Sequence, residues 1–281
     1  MSMILRYVRF RFFLYRMHCV ASLRVLKSSL RVVLFGKRRN RTTEVVDSEY
    51  TKGWNKTKSV NSDSVPGVYR TDDARIRLWR SIDRKKFILK HIAEIIDGIR
   101  PETVLEMGSG NGMNVLALAI LCPHVKKWCG IDLTKVGGEI AEQNKTDPPF
   151  EELMFLTGKS REDITEALKN NIRFVQGDMT KMPFGNNSFD CVFTQQAIEQ
   201  LPESYPDAFR EAYRVSKYGI YVESFAEAQR NFIQWLYLYA SDYFRGSFRD
   251  VEKAGSKILR FEPLTSKSKH ANGLLFVVNN K

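Results

Sequence analysis

Five short apolar runs, each followed by a stretch with helical spacing, dominate the sequence between residues 103 and 224. The apolar runs cover 103–107, 128–133, 172–176, 189–194 and 218–224. The helical stretches that separate them lie near 112–121, 136–144, 160–169 and 205–216. Strands that alternate with helices are joined by crossovers, which make neighbouring strands parallel. The alternation therefore predicts an α/β fold built on a doubly wound, Rossmann-like sheet.

The sequence after residue 224 predicts a different end to this sheet. Residues 257–264 and 274–279 are strand-like, and the segment SKSKHANG between them is a loop rather than a helix. Strands joined without a crossover helix form an antiparallel hairpin. We therefore expect a mostly parallel seven-stranded sheet that closes on a C-terminal antiparallel hairpin. A helix is expected before the first strand, from residue 76 to a stop at Gly98.

Charge divides the chain into an arm, a linker and a body. Residues 1–43 contain eleven Lys or Arg side chains and no acid, whereas residues 44–281 carry 33 basic and 32 acidic side chains. The formal net charge of +12 therefore belongs almost wholly to the arm. A nearly neutral body argues against nucleic acid as a partner. Residues 44–68 are polar and are interpreted as a linker, which leaves 69–281 as one domain.

The arm has the pattern of an amphipathic helix. It contains no apolar run near the ~20 residues that a bilayer span requires. On a helix, its basic residues would share one side, and a broader apolar side would lie next to them. The basic residues on that side are Arg6, Arg9, Arg16, Arg24, Lys27 and Arg31. Such a pattern is typical of a helix that lies on an anionic membrane, so residues 1–41 are a candidate membrane contact. Two alternatives stay open: a mitochondrial targeting peptide, which would be removed, and an extra packed helix or a disordered tail.

The four cysteines indicate a reducing compartment. They are Cys19, Cys122, Cys129 and Cys191. They show no metal-ligand spacing, and three of the four lie in apolar runs. Buried free thiols are the expected state, and no metal site is expected. The predicted location is cytoplasmic, peripheral to a membrane if the arm binds one, or mitochondrial if residues 1–41 are a targeting peptide.

Three glycines follow the first strand of the alternation, in the stretch VLEMGSGNG at 104–112. Glycines so placed indicate a tight turn or a ligand that touches bare backbone. In doubly wound sheets ligands bind at this position, at the carboxyl ends of the strands. Gly108, Gly110 and Gly112 have the spacing GxGxG, with Met113 where a dinucleotide-binding loop has a small residue. A nicotinamide or flavin site is therefore disfavoured but stays open.

Polar side chains end the next strands at the same edge of the predicted sheet. Asp132 ends the second strand, where a carboxylate can accept two hydrogen bonds from ribose hydroxyls. Asp178 follows the third strand, and Met179 beside it offers an apolar face to a ring. Gln195, Gln196 and Glu199 follow the fourth strand and are expected to face a reaction cleft.

These ordered motifs resemble the class I S-adenosylmethionine-dependent methyltransferases, and most closely the group called methyltransferase type 11. The resemblance covers about residues 85–281 and rests on VLEMGSGNG, GIDLT, VQGDMTKMPFGNNSFDCVFTQQAIEQLPE, REAYRVSKYGIYVE and the final hairpin. It implies S-adenosylmethionine as cofactor and direct methyl transfer to a small-molecule or lipid-linked acceptor.

The resemblance also implies roles for residues of this chain. Glu106 would face the ammonium group of the cofactor, Asp132 would bind the ribose, and Asp178 with Met179 would hold the adenine. The full set of implied cofactor-binding residues is Glu106, Gly108, Ser109, Gly110, Gly112, Asp132, Leu133, Asp178, Met179 and Gln195.

Two departures from the family pattern leave alternatives open. The family often has Glu-His after the fourth strand, whereas this chain has Glu199–Gln200, so Glu199 is the candidate catalytic base. Residues 145–168 form an insertion that is either a lid over the acceptor or a surface decoration. The competing functions are a Rossmann-type oxidoreductase, and a membrane-associated scaffold that binds the cofactor without turnover.

Overall fold

A nine-stranded mixed sheet forms the centre of the molecule. The computed structural model describes residues 3–36, 41–56, 67–71, 76–267 and 269–279. The strands are β1 Gly67–Thr71, β2 Ile76–Trp79, β3 Thr103–Met107, β4 Lys127–Asp132, β5 Asn171–Gln176, β6 Phe189–Gln195, β7 Ser216–Glu223, β8 Ser256–Ser266 and β9 Ala271–Asn279. Their order across the sheet is β2-β1-β8-β9-β7-β6-β3-β4-β5.

The parallel and antiparallel parts of the sheet lie where the sequence predicts them. Strands β7, β6, β3, β4 and β5 are parallel neighbours. Strand β9 pairs antiparallel with both β7 and β8, which confirms the C-terminal hairpin. The predicted seven strands are all present, but the count of seven is wrong. Strands β1 and β2 extend the sheet beyond β8 as a second antiparallel pair.

Ten helices accompany the sheet in the described part of the chain. They are α1 Met3–Phe35, α2 Thr43–Lys56, α3 Ser81–Ile99, α4 Met113–Leu121, α5 Lys135–Thr146, α6 Phe150–Thr157, α7 Arg161–Ala167, α8 Tyr205–Val215, α9 Phe232–Ser241 and α10 Asp250–Lys253. Residues of α3, α4, α6 and α7 form one hydrophobic core cluster, and residues of α8 and α10 belong to a second. The layers are those of the predicted doubly wound α/β fold.

The predicted start of the first body helix is wrong by five residues. Ile76–Trp79 is strand β2, and α3 begins at Ser81. The alternation of Ile76, Arg77 and Leu78 suits an extended strand. The Asp83 carboxylate accepts a hydrogen bond from the Arg80 N–H at 2.8 Å, and this bond caps the helix that follows. At the other end α3 continues through Gly98 to Ile99.

The predicted linker is also wrong over most of its described length, because Thr43–Lys56 is helix α2. Val46, Tyr50 and Trp54 recur every four residues, so they share one face of this helix. That face covers the glycine loop. Residues 57–66 of the predicted linker lie outside the described residues.

The insertion at 145–168 forms α6 and α7, with a turn at Pro148 and Pro149 before α6. Leu153, Leu156 and Ile164 are buried in the core cluster that contains α3 and α4. The insertion therefore packs as part of one helical layer. No residue of 145–168, all of which the structure describes, lines the pocket described below.

Residues 3–35 of the arm form helix α1, which packs against α9. Leu14, Val25 and Ser29 of α1 are buried, whereas Phe12 and Leu23 on the predicted apolar side remain more than 60% exposed, at 69% and 62%. The aromatic run at 231–244 is expected to pack on the sheet. In the structure its helix packs instead on α1, and Phe232 stays 64% exposed.

Candidate active site

The three glycines shape the turn from β3 to α4. Gly108, Gly110 and Gly112 have φ values of 77°, 49° and 75°, a region that favours glycine. A Cβ on Gly112 would lie 2.6 Å from the Phe174 ring, and one on Gly110 would lie 2.8 Å from the Trp54 ring. Close packing inside the protein therefore requires glycine here, in addition to any contact with a ligand.

A pocket opens beside this loop at the carboxyl ends of the parallel strands. Its volume is about 1010 Å³ when the space at its open mouth is counted, which is enough for a nucleoside-sized ligand. Eight of the ten predicted cofactor residues line it: Gly108, Ser109, Gly110, Asp132, Leu133, Asp178, Met179 and Gln195. Glu106 lies just behind the lining, because the lining residue Asn114 donates a hydrogen bond to it. Gly112 is the residue directly before α4 and does not line the pocket.

The two aspartates lie on the pocket wall with their carboxylates held in place. The oxygens of Asp132 accept hydrogen bonds from the Gly110 N–H at 2.8 Å and from the N–H and hydroxyl of Thr134 at 2.9 and 2.6 Å. Asp178 accepts from the Thr180 N–H and hydroxyl, both at 2.8 Å. Each carboxylate keeps free lone pairs, so both can accept further hydrogen bonds from ribose hydroxyls or an adenine amino group.

Glu106 is fully buried at the end of β3. Its Oε1 accepts a hydrogen bond from the Asn114 amide at 2.7 Å, and its Oε2 has no partner. Burial raises the pKa of Glu106 to about 8, against the opposing effects of Asn114 and Lys85. A buried acceptor without a partner is costly, so Glu106 is suited to receive an ammonium group.

Glu199, the predicted base, is buried behind the pocket rather than in its wall. The carboxylate of Glu223 accepts the N–H groups of Ala197, Ile198 and Glu199 at 3.0, 3.2 and 3.1 Å and so fixes the turn that carries Glu199. Burial and the neighbouring Glu223 raise the pKa of Glu199 to about 8. Its Oε2 has no hydrogen-bond partner.

A second polar cluster lies next to this turn. Arg84 donates hydrogen bonds to Gln196 at 2.7 Å, to Asn272 at 2.5 Å and to Thr265 at 3.2 Å. Gln196 is held at a positive φ of 58° at the pocket wall. His270 lies near Gln196, and burial lowers its pKa to about 3, so its ring is neutral.

Several pocket residues are not predicted from the sequence. Helix α2 contributes Thr43, Val46, Tyr50 and Trp54, and α3 contributes Lys85. The four-residue spacing of Val46, Tyr50 and Trp54 is a signal that could have identified α2 as a covering helix. Arg41 anchors the start of α2, because its buried guanidinium donates to Gln200 at 2.5 Å and to Glu49 at 3.3 Å.

Comparison with known proteins assigns this site to a family. Residues 105–222 match the family model described as a methyltransferase domain. Demethylmenaquinone methyltransferase of Listeria monocytogenes is 32% identical over 146 residues, which is 52% of this chain and 57% of that protein. Residues 105–222 are a class I S-adenosylmethionine-dependent methyltransferase domain. The cofactor of this domain is S-adenosylmethionine, which disfavours the nicotinamide and flavin alternative.

More distant relatives and solved structures extend the comparison. Sterol 24-C-methyltransferase of Pneumocystis carinii is 28% identical over 131 residues, 46% of this chain and 29% of that protein. Magnesium protoporphyrin IX methyltransferase of Synechocystis, with bound S-adenosylmethionine, has a TM-score of 0.56 at 14% identity and covers 86% of this chain and 98% of its own. The [4+2]-cyclase SpnF has a TM-score of 0.60 at 15% identity and covers 84% and 96%. The two structures share the fold of the methyltransferase domain. The chain spans 57% of the length of the first curated relative.

Proposed function

We propose that the chain transfers a methyl group from S-adenosylmethionine to a small-molecule or lipid-linked acceptor. The observation that carries this proposal is the pocket itself, which brings Glu106, Asp132 and Asp178 to the carboxyl ends of three parallel strands. The cofactor supplies an electrophilic methyl group that an acceptor takes by direct displacement. Alignment and exclusion of water then account for much of the rate.

An apolar acceptor with one polar reacting group suits the surroundings of the pocket. The Val46, Tyr50 and Leu201 side chains give it apolar walls, and Gln195 contributes a buried amide oxygen without a partner. The two relatives described above act on a demethylmenaquinone and on a sterol, by their names, and both of these are largely apolar molecules. Glu199, the candidate base of the sequence analysis, lies behind the pocket lining, so the proposed displacement assigns it no direct proton transfer from the acceptor.

The proposal is tested with trideuteromethyl-labelled S-adenosylmethionine. The full chain is incubated with a prenylated quinol, a sterol or a porphyrin, and products are analysed by mass spectrometry. Asp132→Ala is the control, because it removes the ribose acceptor. A labelled product with the wild type and none with the control supports the proposal. Cofactor binding without transfer to any of the three acceptors contradicts it and favours the scaffold alternative.

We also propose that α1 holds the protein on an anionic membrane surface. No helix in the described ranges has the length and hydropathy to span a bilayer. The solvent-facing side of α1 mixes exposed Phe12, Phe13 and Leu23 with basic residues, and the arm contains no acid. Burial of Leu14 and Val25 against the body supports a retained helix over a removed targeting peptide. Each basic residue near such a surface adds about 1 kcal/mol to the free energy of membrane binding.

Vesicle co-sedimentation tests the membrane proposal. The triple variant Arg16→Glu, Arg24→Glu, Arg31→Glu reverses exposed charges on α1, while Lys159→Glu, Lys181→Glu, Lys257→Glu makes the same change of charge on the body. The first variant is expected to lose binding to vesicles rich in phosphatidylserine, and the second to keep it. Equal binding by the two variants would contradict the proposal.

A further inference from the structure

Helix α9 exposes aromatic rings and buries a glutamine. Phe232 is 64% exposed and Trp235 is 43% exposed, whereas Gln234 between them is 1% exposed. A helix that packs on a protein core ordinarily turns its large apolar side chains inward and its amides outward. The reversed arrangement leaves aromatic area in water, so this face of α9 is suited to a partner outside the chain.

The hydrogen bonds of Gln234 hold α9 in this rotation. Its side-chain amide donates to the Ser266 hydroxyl and to the Lys267 carbonyl, both at 2.6 Å, and its Oε1 accepts the Arg230 N–H at 2.7 Å. The side chain of Asn231, the residue before α9, accepts the Gln234 N–H at 3.1 Å. A roll of the helix that buried the rings would break these bonds and leave a buried amide without partners. The exposure of the rings is therefore built into the fold.

The rings form one stack along α9. The ring centroids of Phe232 and Trp235 lie 6.2 Å apart with 20° between the planes, and those of Trp235 and Tyr239 lie 5.4 Å apart with 12°. We call these three residues the aromatic ladder. Rings that stack on one another are already ordered, so the ladder presents an apolar ridge that loses little side-chain entropy when it binds.

The aromatic ladder adjoins the exposed apolar side chains of α1. Among the residues that the structure describes, eighteen large apolar side chains are exposed, of which eleven lie on α1 and two, Phe232 and Trp235, lie on α9. The other five are divided among α2, β2, α6 and β8. Because α1 packs against α9, the exposed faces of the two helices lie side by side. Most of the exposed apolar surface therefore belongs to this helix pair.

The charges around the aromatic ladder favour a lipid surface as its partner. Helix α9 contains no charged residue. The Arg245 guanidinium lies 5.5 Å from the centre of the Tyr239 ring, and the Lys269 ammonium lies 5.8 Å from that of Tyr237. Asp242, directly after α9, is paired with Arg245 at 3.5 Å. Tryptophan and tyrosine rings are enriched where a protein meets lipid headgroups. A fluid bilayer also needs no shape that complements the ridge, whereas a protein partner would need one.

We propose that the aromatic ladder inserts into the headgroup region of an anionic bilayer beside α1, so that two helices hold the protein on the membrane. The inference rests on the proposed membrane contact of α1 and adds an apolar anchor to it, because interfacial binding combines charge attraction with burial of apolar area. Arg41 donates hydrogen bonds to the Ser241 carbonyl at the end of α9 and to Gln200 in the pocket lining. The docked helix pair would therefore lie beside the pocket that is to take a lipid-linked acceptor.

Brominated lipids test the position of Trp235. The full chain is mixed with phosphatidylserine-rich vesicles whose acyl chains carry bromine, which quenches the fluorescence of a nearby indole. The wild type should be quenched. Trp235→Phe keeps an aromatic ring, so it should sediment with the vesicles like the wild type but lose most of the quenching. Trp54→Phe is the matched control, since the Trp54 ring lies against Gly110, and it should keep the quenching.

The affinity for the same vesicles tests the anchor itself. Phe232→Ser combined with Trp235→Ser should weaken vesicle binding about tenfold, because the aromatic area is no longer buried in lipid. Met154→Ser combined with Leu259→Ser removes two apolar side chains of similar exposure, 42% and 47%, and should leave binding unchanged. Both double variants should bind S-adenosylhomocysteine as the wild type does, which checks their folding.

The outcomes separate this inference from the other proposals. Failure of the wild type to bind the vesicles would overturn both membrane proposals, and its failure to bind S-adenosylhomocysteine would overturn the proposed methyl transfer. Vesicle binding that is equal in the Phe232→Ser, Trp235→Ser variant and the wild type, or a bound wild type that is not quenched, would overturn the role of the aromatic ladder alone. If sedimentation velocity showed that this variant loses self-association and keeps vesicle binding, the partner of the ladder would be a second copy of the chain.

Discussion

The burial of Glu106 by the fold determines the protonation state in which this residue meets the cofactor. Its position at the end of β3 removes the carboxylate from water, and the hydrogen bond from Asn114 offsets only part of that cost. With a pKa of about 8, Glu106 is mostly protonated at neutral pH before a ligand binds. An ammonium group binds the ionised form of Glu106, so this residue must lose its proton when the ligand binds.

We therefore predict that cofactor binding releases a proton near pH 7. Calorimetry of S-adenosylmethionine binding in buffers with different heats of ionisation measures the number of protons released. The wild type should release a large fraction of one proton, and the fraction should fall as the pH rises above about 8. Glu106→Gln, which cannot ionise, should bind more weakly and release none. Proton release that persists unchanged in Glu106→Gln would assign it to another group.

Helix α2 is the element that separates the pocket from solvent. Its Tyr50 and Trp54 line the pocket, and the Trp54 ring lies against Gly110. Arg41 fixes the start of α2 to the body by its hydrogen bond to Gln200. A ligand in the pocket would therefore contact α2 on one side and the glycine loop on the other.

Tryptophan fluorescence tests the covering role of α2. Binding of S-adenosylhomocysteine should change the fluorescence of the wild type, and Trp54→Phe should lose most of that change. Trp54→Ala should weaken binding by about 1 kcal/mol, or about fivefold, because one aromatic wall of the pocket is removed. Trp235→Phe is the matched control, since Trp235 is 43% exposed on α9 and lies outside the pocket lining. A loss of signal in the control instead would contradict the covering role.

The elements differ in how well the sequence predicts them, and the reason is physical. The parallel strands and the glycine loop are determined by local patterns: an apolar run, a turn residue and a helical stretch in fixed order. Strand β2 is only four residues long, and it joins the sheet only through β1, whose other neighbour is the distant strand β8. Lys85 could not be predicted as a pocket residue, because its place depends on how α3 packs against the sheet.

The arm and the body have different roles in the whole molecule. The body is nearly neutral and buries the carboxyl groups of Glu106, Glu152, Glu199 and Glu223, while the arm carries the excess positive charge. Changes of salt should therefore affect the arm, and changes of pH should affect the body. Glu106, Glu199 and Glu223 have pKa values raised to about 8, about 8 and about 7, with burial as the largest cause.

The three buried glutamates predict that the empty protein loses stability as the pH rises through 7 to 8. An unfolded glutamate has a pKa of about 4.3, so between that value and the folded pKa the folded state holds more protons. The stabilising contribution is therefore complete below about pH 4.3 and is lost as the pH passes the folded pKa values. Each group changes the free energy of unfolding by at most about 1.4 kcal/mol per pH unit.

Urea denaturation at about pH 7 and about pH 8.5 measures this loss in a range above the ordinary pKa of histidine. That range matters because the pKa of buried His270, lowered to about 3, produces the opposite slope at lower pH. Glu199→Gln should be less sensitive to pH than the wild type, since one titrating group is removed. Saturating S-adenosylmethionine should also reduce the sensitivity, because it binds the ionised form of Glu106. Stability that stays constant or rises over this range, without ligand, would show that these carboxyl groups are already ionised in the folded protein.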